Sequence, residues 1–498
     1  MLKLEKKYDA IIVGSGAGGG VVADILSQKG LKCLIIESGA YRKAEHFNQN
    51  ESDMSAIYYN RGAVFSKNMH LALAAANAVG GSTSVYTGVS FRPPQDVLNK
   101  WKSEFGLDFL TDDFVNSTLD SFDSDLNIHE LPDDEINENN KLFKTAAESL
   151  GINVKKLKLN LVNCNGQGFC NLGCTQNAKQ GTLVVQLPRA IANGAELVHH
   201  ATVDTISENA VYFSVREATA GVKENLLPTG TYAASAKVII LAAGVLNTPA
   251  ILLRSVKQLQ VNNPNIGRFI TLHPAFNLHA VNKNKITNYT GFPKAYYIDQ
   301  YSETEGYYLE TSFYYRGITS KNIPDWGEQH AELMSNYNKM MSILILSHDK
   351  AKYENRITIN KKGQPVINYK VAPETKTSLV NAIRKAAEIF IAAGCTSFRL
   401  PATKQIITQS DKNNLNELIQ EKYLDFAQTP LSTAHPQGGC RMGTSEKTSV
   451  VDINGKLWGS KSIYVADASL FPTSVKVNPY ETIMLLATHV AKQNFDKA

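Results

Sequence analysis

No stretch of the 498-residue sequence approaches the roughly 18 consecutive apolar residues that a membrane-spanning helix needs, so no membrane span is expected. A turn-rich motif opening at Gly14 leaves no room for a secretory signal, and the expected location is the cytoplasm. Cysteine is scarce: six residues, three of them clustered, do not make the disulfide framework of a secreted scaffold. An excess of one charge is missing too, since 51 Lys+Arg against 46 Asp+Glu leaves +5, too slight and too dispersed for nucleic acid or an anionic membrane. Internal repeats and low-complexity stretches are absent. What remains is ordinary globular composition, 43% hydrophobic and 19% charged, in a chain long enough for about two or three domains around a large core.

The first informative segment is "YDAIIVGSGAGGGVVADILSQKGLKCLIIESG". Ala10 to Val13 is a short apolar run of strand type, Val21, Val22, Ile25 and Leu26 recur at helical spacing, and Cys33 to Ile36 is apolar again, which predicts a βαβ unit. Gly14, Gly16 and Gly19 fill the G-x-G-x-x-G positions, where absent side chains permit the turn, the approach of a pyrophosphate and helix-strand packing. Glu37 closes the second strand 21 residues after Gly16, where a carboxylate accepts hydrogen bonds from a ribose. That carboxylate favours an unphosphorylated ribose, hence FAD or NAD over NADP, and this unit alone does not separate the two.

Later segments point to flavin. "VGGSTSVYTGVSFRPP" from Val79, "VIILAAGVLNTPAILLRS" from Val238, "NIGRFITLHP" from Asn265, "TAHPQGGCRMG" from Thr433 and "VVDINGKLWGSKSIYVADASLFPTSVKVNPYETI" from Val450 follow one another in order. Together they resemble the glucose-methanol-choline (GMC) oxidoreductase family, in particular its bacterial cholesterol-oxidase-like and long-chain alcohol-oxidising branches, from near residue 8 to near residue 490. The resemblance implies an α/β fold, with a Rossmann-like FAD-binding domain and a discontinuous α+β substrate domain built on an antiparallel sheet. It implies FAD contacts from Ser15 and Ala17 beside the three turn glycines, from Gly80, Gly81, Ser82, Tyr86, Gly88 and Val89, from Val203 and Ala243, and from Asp467 and Ala468. Tyr86 stands where the family usually shows Asn. No histidine adjoins that stretch, so the FAD is expected to be non-covalent.

Oxidising an alcohol with a flavin requires a base for the hydroxyl proton while hydride leaves carbon for N5, and imidazole titrates in the useful range. The resemblance places His435 in that role and Asn478 as hydrogen-bonding partner to the substrate oxygen. Asn478 has a second reading from its own surroundings: in "NPYETI" it sits as a helix N-cap, with Pro479 at the first helical position and Glu481 at the third, like a capping box. The positive end of that helix, through the backbone of Tyr480, suits the negative charge of a reduced flavin. The expected substrate is a small-molecule alcohol and the acceptor either oxygen or an electron carrier. The alternatives are a non-redox lyase or photodecarboxylase on the same scaffold, or the catalytic subunit of an Fe-S and haem-coupled sugar dehydrogenase.

"CNGQGFCNLGCTQNAKQGT" sets Cys164, Cys170 and Cys174 at short intervals, either as packed thiols or, by resemblance to those sugar dehydrogenases, as ligands of a 3Fe-4S cluster. No other metal site is expected. Residues 1–110, 150–282 and 430–498 are assigned to the FAD domain, 283–429 to the substrate domain and 111–149 to a connecting segment. Within the substrate domain "RITINKKGQPVINYKV" predicts two strands about a Lys-Lys-Gly turn, and "ETKTSLVNAIRKAAEIFIAAGC" a helix ended by Gly394. The aromatic-rich 288–317 is either a sheet face packed on helices or the lining for an apolar or ring-shaped substrate.

Overall fold

The structure is a computed structural model that describes every residue except 219–223, 288, 324–325, 401–404, 425, 427–430 and 496–498. The apolar run Ala10–Val13 ends the strand Leu2–Val13, the chain turns at Gly14 into the helix Ala17–Gln28, and it returns as the strand Cys33–Ile36. These two strands pair in parallel, Ala10 opposite Cys33 and Val13 opposite Ile36. Glu196–Val198 adds outside Cys33–Ile36, and Gly230–Leu241 outside Leu2–Val13, both in parallel. Gly230–Leu241 is long enough to hold two further neighbours. Its first half pairs antiparallel with Ala210–Val215, which in turn pairs with Ala201–Ser207, and its last residues pair in parallel with Ile463–Val465. The continuous apolar runs of the central strands are buried on both faces, as a parallel sheet requires: Ile11, Ile12, Leu34, Ile35, Ile239 and Ile240 share one core with the turn helix and the C-terminal helix Tyr480–Asn494.

The second layer is a nine-stranded sheet, antiparallel at every pairing but one. Its centre is Ala275–Asn282, Met340–Ser347 and Tyr307–Thr311. Its outer face packs on the helix Pro373–Ala392, where Leu379, Ile383, Ala386 and Phe390 meet Leu309, Ile343 and Ile345. That helix stops ahead of Gly394, which takes φ +76°, and the Lys-Lys-Gly hairpin joins Arg356–Ile359 to Pro365–Asn368. Residues 111–149 carry two helices, Asp112–Asp125 entering the first core through Val115 and Leu119 and Glu138–Ser149 entering the second through Phe143 and Ala146.

Four strands of the antiparallel sheet come from stretches assigned by sequence to the FAD domain: Leu71–Leu73, Lys155–Lys156, Ala275–Asn282 and Leu431–Thr433. The chain therefore crosses between the layers repeatedly, and each crossing delivers residues to the seam. The last of these crossings leads directly into His435.

The seam is held by backbone packed on backbone. A Cβ added at Gly18 lies 1.7 Å from the carbonyl oxygen of Ala466, and one at Gly19 lies 2.0 Å from that of Gly14. Gly18→Ala is accordingly expected to cost at least about 3 kcal/mol, the upper range for overpacking a core. Gly30→Ala, whose Cβ meets nothing within 4 Å at φ +79°, is expected to cost only about 1–2 kcal/mol for the left-handed backbone. Urea unfolding of the two variants reads the difference, and equal costs would show that the Gly18 contact is not a constraint.

Candidate active site

The glycine turn is wired to the end of the second strand. Glu37 is buried, and its Oε2 accepts from the Ser15 amide at 3.0 Å and the Ser15 hydroxyl at 2.7 Å. Its Oε1 accepts from the Gly39 amide at 2.8 Å. Ser15 Oγ in turn accepts from the Gly80 amide at 3.0 Å, which draws the Gly80–Gly81 turn onto Gly16, so that a Cβ at Gly81 would lie 2.7 Å from the Gly16 Cα. Thr182 Oγ1 bridges the two turns, donating to the carbonyls of Ser15 and Gly80 at 3.2 Å each. Val203 lies in the strand that begins beside Glu37, where the Ala201 amide donates to the Glu37 carbonyl at 2.8 Å.

At the opposite end of the seam stands His435. Its amide donates to Thr433 Oγ1 at 3.1 Å, and its carbonyl accepts from Gln437 Nε2 at 3.2 Å. Gln437, fully buried, has its orientation fixed because its Oε1 accepts from the Val475 amide at 2.8 Å. The same Nε2 therefore faces His273 Nε2, 3.2 Å away, which also receives the Ser474 hydroxyl at 2.6 Å. The His273 proton is thereby placed on Nδ1. The rings of His273 and His435 stand perpendicular with centroids 5.6 Å apart, and the Nδ1 atom of each is buried without a hydrogen-bond partner among the described residues. Burial pushes the His435 imidazole from its ordinary value down to about 3, with the positive charge of Lys294 adding to the effect, and burial holds His273 well below its usual range. Both rings are neutral.

From His273 a run of ring contacts leads to Asn478. His348 lies 6.3 Å from His273 and 6.1 Å from Tyr308, and the Tyr308 hydroxyl donates to Asn478 Oδ1 at 2.6 Å. Burial raises Tyr308 well above the usual phenol range, so it stays a donor. With Oδ1 held by Tyr308, the amide nitrogen is the group Asn478 turns elsewhere. The expected capping box is not formed: the helix Tyr480–Asn494 has Pro479 at its N-cap with no side-chain cap bond, because the Asn478 side chain is committed to Tyr308. What this seam can do chemically is accept a proton at a neutral imidazole and donate a hydrogen bond from a fixed carboxamide.

Models of the GMC oxidoreductase N- and C-terminal regions match residues 9–275 and 351–487 of this chain. The chain belongs to the GMC oxidoreductase family. It is 28% identical to an uncharacterized GMC-type oxidoreductase of Mycobacterium tuberculosis, over 99% of this chain and 76% of that protein. It is 27% identical to a long-chain-alcohol oxidase of Arabidopsis thaliana, over 96% and 67%, and 21% identical to a cholesterol oxidase of Acinetobacter baumannii, over 96% and 93%. Among solved structures it is similar to pyridoxine 4-oxidase from Mesorbium loti, TM-score 0.72 at 18% identity over 99% of this chain and all of that one, and to formate oxidase, TM-score 0.71 at 14% identity over 98% of each. The protein is an oxidoreductase with a Rossmann-like FAD-binding fold.

GMC oxidoreductases bind FAD, and the residues here fit that group. Gly14, Gly16, Gly80 and Gly81 bring bare backbone together at the turn where the motif would hold a pyrophosphate, and the buried Glu37 sits where a ribose needs an acceptor. Asp467 is buried and already bonded on both oxygens, Oδ2 by the Gly244 amide at 2.8 Å and Thr248 at 2.6 Å, Oδ1 by the Ser469 amide at 2.8 Å. It fastens the end of Ile463–Val465 to the helix Gly244–Leu259, with Ala243 at that helix's N-cap and Ala468 accepting from the Gly438 amide at 2.9 Å. Where the family shows Asn, Tyr86 takes an amide from Asn160 on its hydroxyl, and its ring lies 5.0 Å from that of Tyr480. Ser82 Oγ accepts from the Ala76 amide at 3.3 Å, and Gly88, at φ +82°, leads into the strand Val89–Ser90. The sequence alone did not single out His273, Gln437, Tyr308 or the Lys294–Glu310 ion pair; strand pairing in the antiparallel sheet sets Tyr308 and Glu310 on one face.

The cysteine triplet is corrected. Among the described residues no group of three His, Cys, Asp or Glu side chains is arranged to hold a metal ion, so the 3Fe-4S reading is not supported. Burial, not the neighbouring charge, works against a cluster. Lys179 Nζ donates to the carbonyls of Cys170 at 2.7 Å, Tyr86 at 2.7 Å and Ser84 at 3.0 Å, and its charge by itself favours thiolates. Burial pushes the Cys170 thiol up to about 11 and raises Cys164, opposing the thiolates that iron requires. Nor is any described helix long and apolar enough to cross a membrane.

Tyr308→Phe removes the bond that orients Asn478. Anaerobic flavin reduction should slow by roughly tenfold, the worth of about one hydrogen bond, and Tyr308→Phe added to Asn478→Ala should slow it no further than Asn478→Ala alone. Independent, multiplying losses in stopped-flow traces would show that Tyr308 acts elsewhere.

Proposed function

We propose that this GMC oxidoreductase oxidises the carbinol of an alcohol to an aldehyde or ketone, with His435 as the base and Asn478 as the donor that holds the substrate oxygen. FAD, when bound, supplies a two-electron acceptor that takes hydride at N5. The observation carrying the reading is a neutral, half-buried imidazole with an unpartnered nitrogen, on a segment whose backbone is tied through Gln437 and His273 to the one that presents an oriented carboxamide. The curated relatives that act on long-chain alcohols and cholesterol support it.

In this reading the substrate hydroxyl donates to the free lone pair of His435 while its oxygen accepts from the amide nitrogen of Asn478. The proton passes to the imidazole as the carbon gives up hydride. Burial that depresses the imidazolium makes His435 a weak base at rest, so proton transfer is favourable only as negative charge leaves the carbinol for its acceptor. The N–H groups at the uncapped start of Tyr480–Asn494 suit the negative charge that then accumulates, with the Tyr480 amide as donor. The bent path of rings between His435 and Asn478, with Phe91 and Tyr297 beside Tyr308, lines the substrate side. The final electron acceptor in this reading is oxygen or an electron carrier.

Anaerobic mixing of the yellow protein with alcohols of graded size tests the reading. At least one should bleach the flavin, and His435→Ala should slow that bleaching by about two to four orders of magnitude while FAD stays bound. Because the imidazole is depressed to about 3, the imidazolium is scarce throughout the usual range, and the reduction rate should stay flat from about pH 5 to 8 instead of falling below 6.5. An acid limb centred near 6.5, or wild-type reduction speed in the alanine variant, would refute the assignment.

A further inference from the structure

The strand Tyr307–Thr311 alternates its side chains between two environments. Tyr307 and Leu309 pack outward, toward the long helix, in the second core. Tyr308 and Glu310 point to the other face, the one that meets Asn478. Directly across from Glu310 on that face lie Tyr297 on one neighbour and Leu344 on the other, with Leu346 opposite Tyr308 and Ala275 beyond it. Phe91 closes over Tyr297 and Tyr308, at 4.9 Å and 6.2 Å between ring centroids. The wall holds one charged point, in surroundings that are apolar but for Asn277, opposite Leu344, and the bonded His279 and Ser342 beyond it. There Glu310, fully buried, is ion-paired through Oε2 with the buried Lys294, and its Oε1 has no partner among the described residues.

A buried carboxylate oxygen without a donor is a costly arrangement in an apolar wall, and it persists here one pleat from the residue that orients Asn478. Lys294 bears on the site as well, since its charge is felt at His435. We infer that Glu310 is a specificity-determining residue: its free oxygen accepts a hydrogen bond from a second, uncharged donor on the substrate, a hydroxyl a few bonds from the carbinol that His435 deprotonates. The inference rests on the alcohol-oxidising reading and narrows it to an apolar or ring-bearing compound with two hydroxyl groups. An ammonium does not suit the position, because Lys294 already neutralises the carboxylate and repels a second cation.

The test uses the FAD-loaded full-length protein and three series of equal carbon skeleton: a monohydric alcohol, its diol with the second hydroxyl one to three carbons away, and the matching amino alcohol. Anaerobic titration of flavin reduction should give a half-saturating concentration for the best diol lower by roughly tenfold or more than for its monohydric partner, and no such gain for the amino alcohol. In Glu310→Gln the amide oxygen turns to Lys294 and the amide nitrogen faces the substrate, a donor where an acceptor stood. A hydroxyl can accept from that nitrogen as well as donate to an oxygen, so the diol preference should fall several-fold, as judged by the ratio within one variant and with the bound-flavin spectrum retained. Lys294→Met with Glu310→Leu removes both charges and every hydrogen-bonding atom there, and should abolish the preference. Wild-type protein that reduces with monohydric alcohols as readily as with diols, or a preference surviving both variants, overturns the inference and leaves alcohol oxidation standing. A flavin that no alcohol bleaches fails the broader reading instead.

Discussion

The constraint on which the molecule depends is the contact of three distant stretches of main chain at the glycine turn. Gly14 abuts Ala242, Gly18 abuts Ala466 and Gly16 abuts Gly81, each so closely that a methyl group would not fit beside its neighbour or would crowd it. That packing joins the beginning, the middle and the end of the chain at a single place, and it has consequences along the last segment. Asp467, next to Ala466, locks onto Gly244 and Thr248. Ala468 then takes the Gly438 amide and Ser469 the Cys440 amide. His435 is carried three residues ahead of Gly438 on the same stretch. The position of the proposed base is thus set by backbone hydrogen bonds that lead back to the dinucleotide turn, and a cofactor seated on that turn is indexed to His435 without any long side chain spanning the gap.

Electrostatics in the seam work by exclusion of charge. His273, His348 and His435 lie near one another and all are driven toward the neutral form by burial, while Tyr308 is kept protonated by the same cause. The charged pair there, Lys294 with Glu310, is internally compensated. A second buried carboxylate, Asp349, is raised to about 6 by burial, although it accepts from the amides of Leu272 at 2.7 Å and His273 at 3.1 Å and from Tyr369 at 2.8 Å. Those bonds hold His273 at φ +46°, a left-handed backbone that a non-glycine residue adopts only where its surroundings over-determine it. Gln437 fixes the tautomer of His273 through its ring and holds His435 only by the backbone carbonyl, which leaves the His435 imidazole with an acceptor to use.

Much of this was legible in the sequence, and the reason is locality. The βαβ unit, Glu37, the Lys-Lys-Gly hairpin and the helix ended at Gly394 each depend on spacings of a few residues, which periodicity and turn chemistry read directly. The roles proposed for His435 and Asn478 come from the family resemblance. What stayed hidden depends on register between strands far apart in the chain. Tyr308 reaches Asn478 across 170 positions and Gln437 reaches His273 across 164, and no local pattern marks either. The tyrosine-rich stretch shows why composition was ambiguous: Tyr307 and Tyr308 are neighbours on a pleated strand and face opposite ways, one toward the long helix and the other toward Asn478. The cysteine triplet misled for a related reason, since its spacing says nothing of whether the three side chains converge, and among the described residues they form no group that could hold a metal ion.

The two roles that sequence offered for Asn478 compete for one carboxamide, and the outcome has an energetic side. An uncapped helix start forgoes about 1 kcal/mol relative to one with a good N-cap residue. The helix Tyr480–Asn494 goes without, and its first turn also holds Glu481, whose buried carboxyl is raised to about 8 by desolvation and whose Oε2 finds no partner among the described residues. Neutral at ordinary pH, that side chain contributes none of the favourable charge that an acidic first turn usually brings to a helix dipole. The helix tolerates both omissions because Met484, Leu485, Leu486, Ala487 and Val490 are fully enclosed in the first core, and burying side chains of that kind is worth about 1.5–3 kcal/mol each. The positive end of the dipole is consequently left unneutralised by the protein, facing the seam where the proposed reaction gathers negative charge. A better-capped helix would be the more stable one and the poorer partner for that charge.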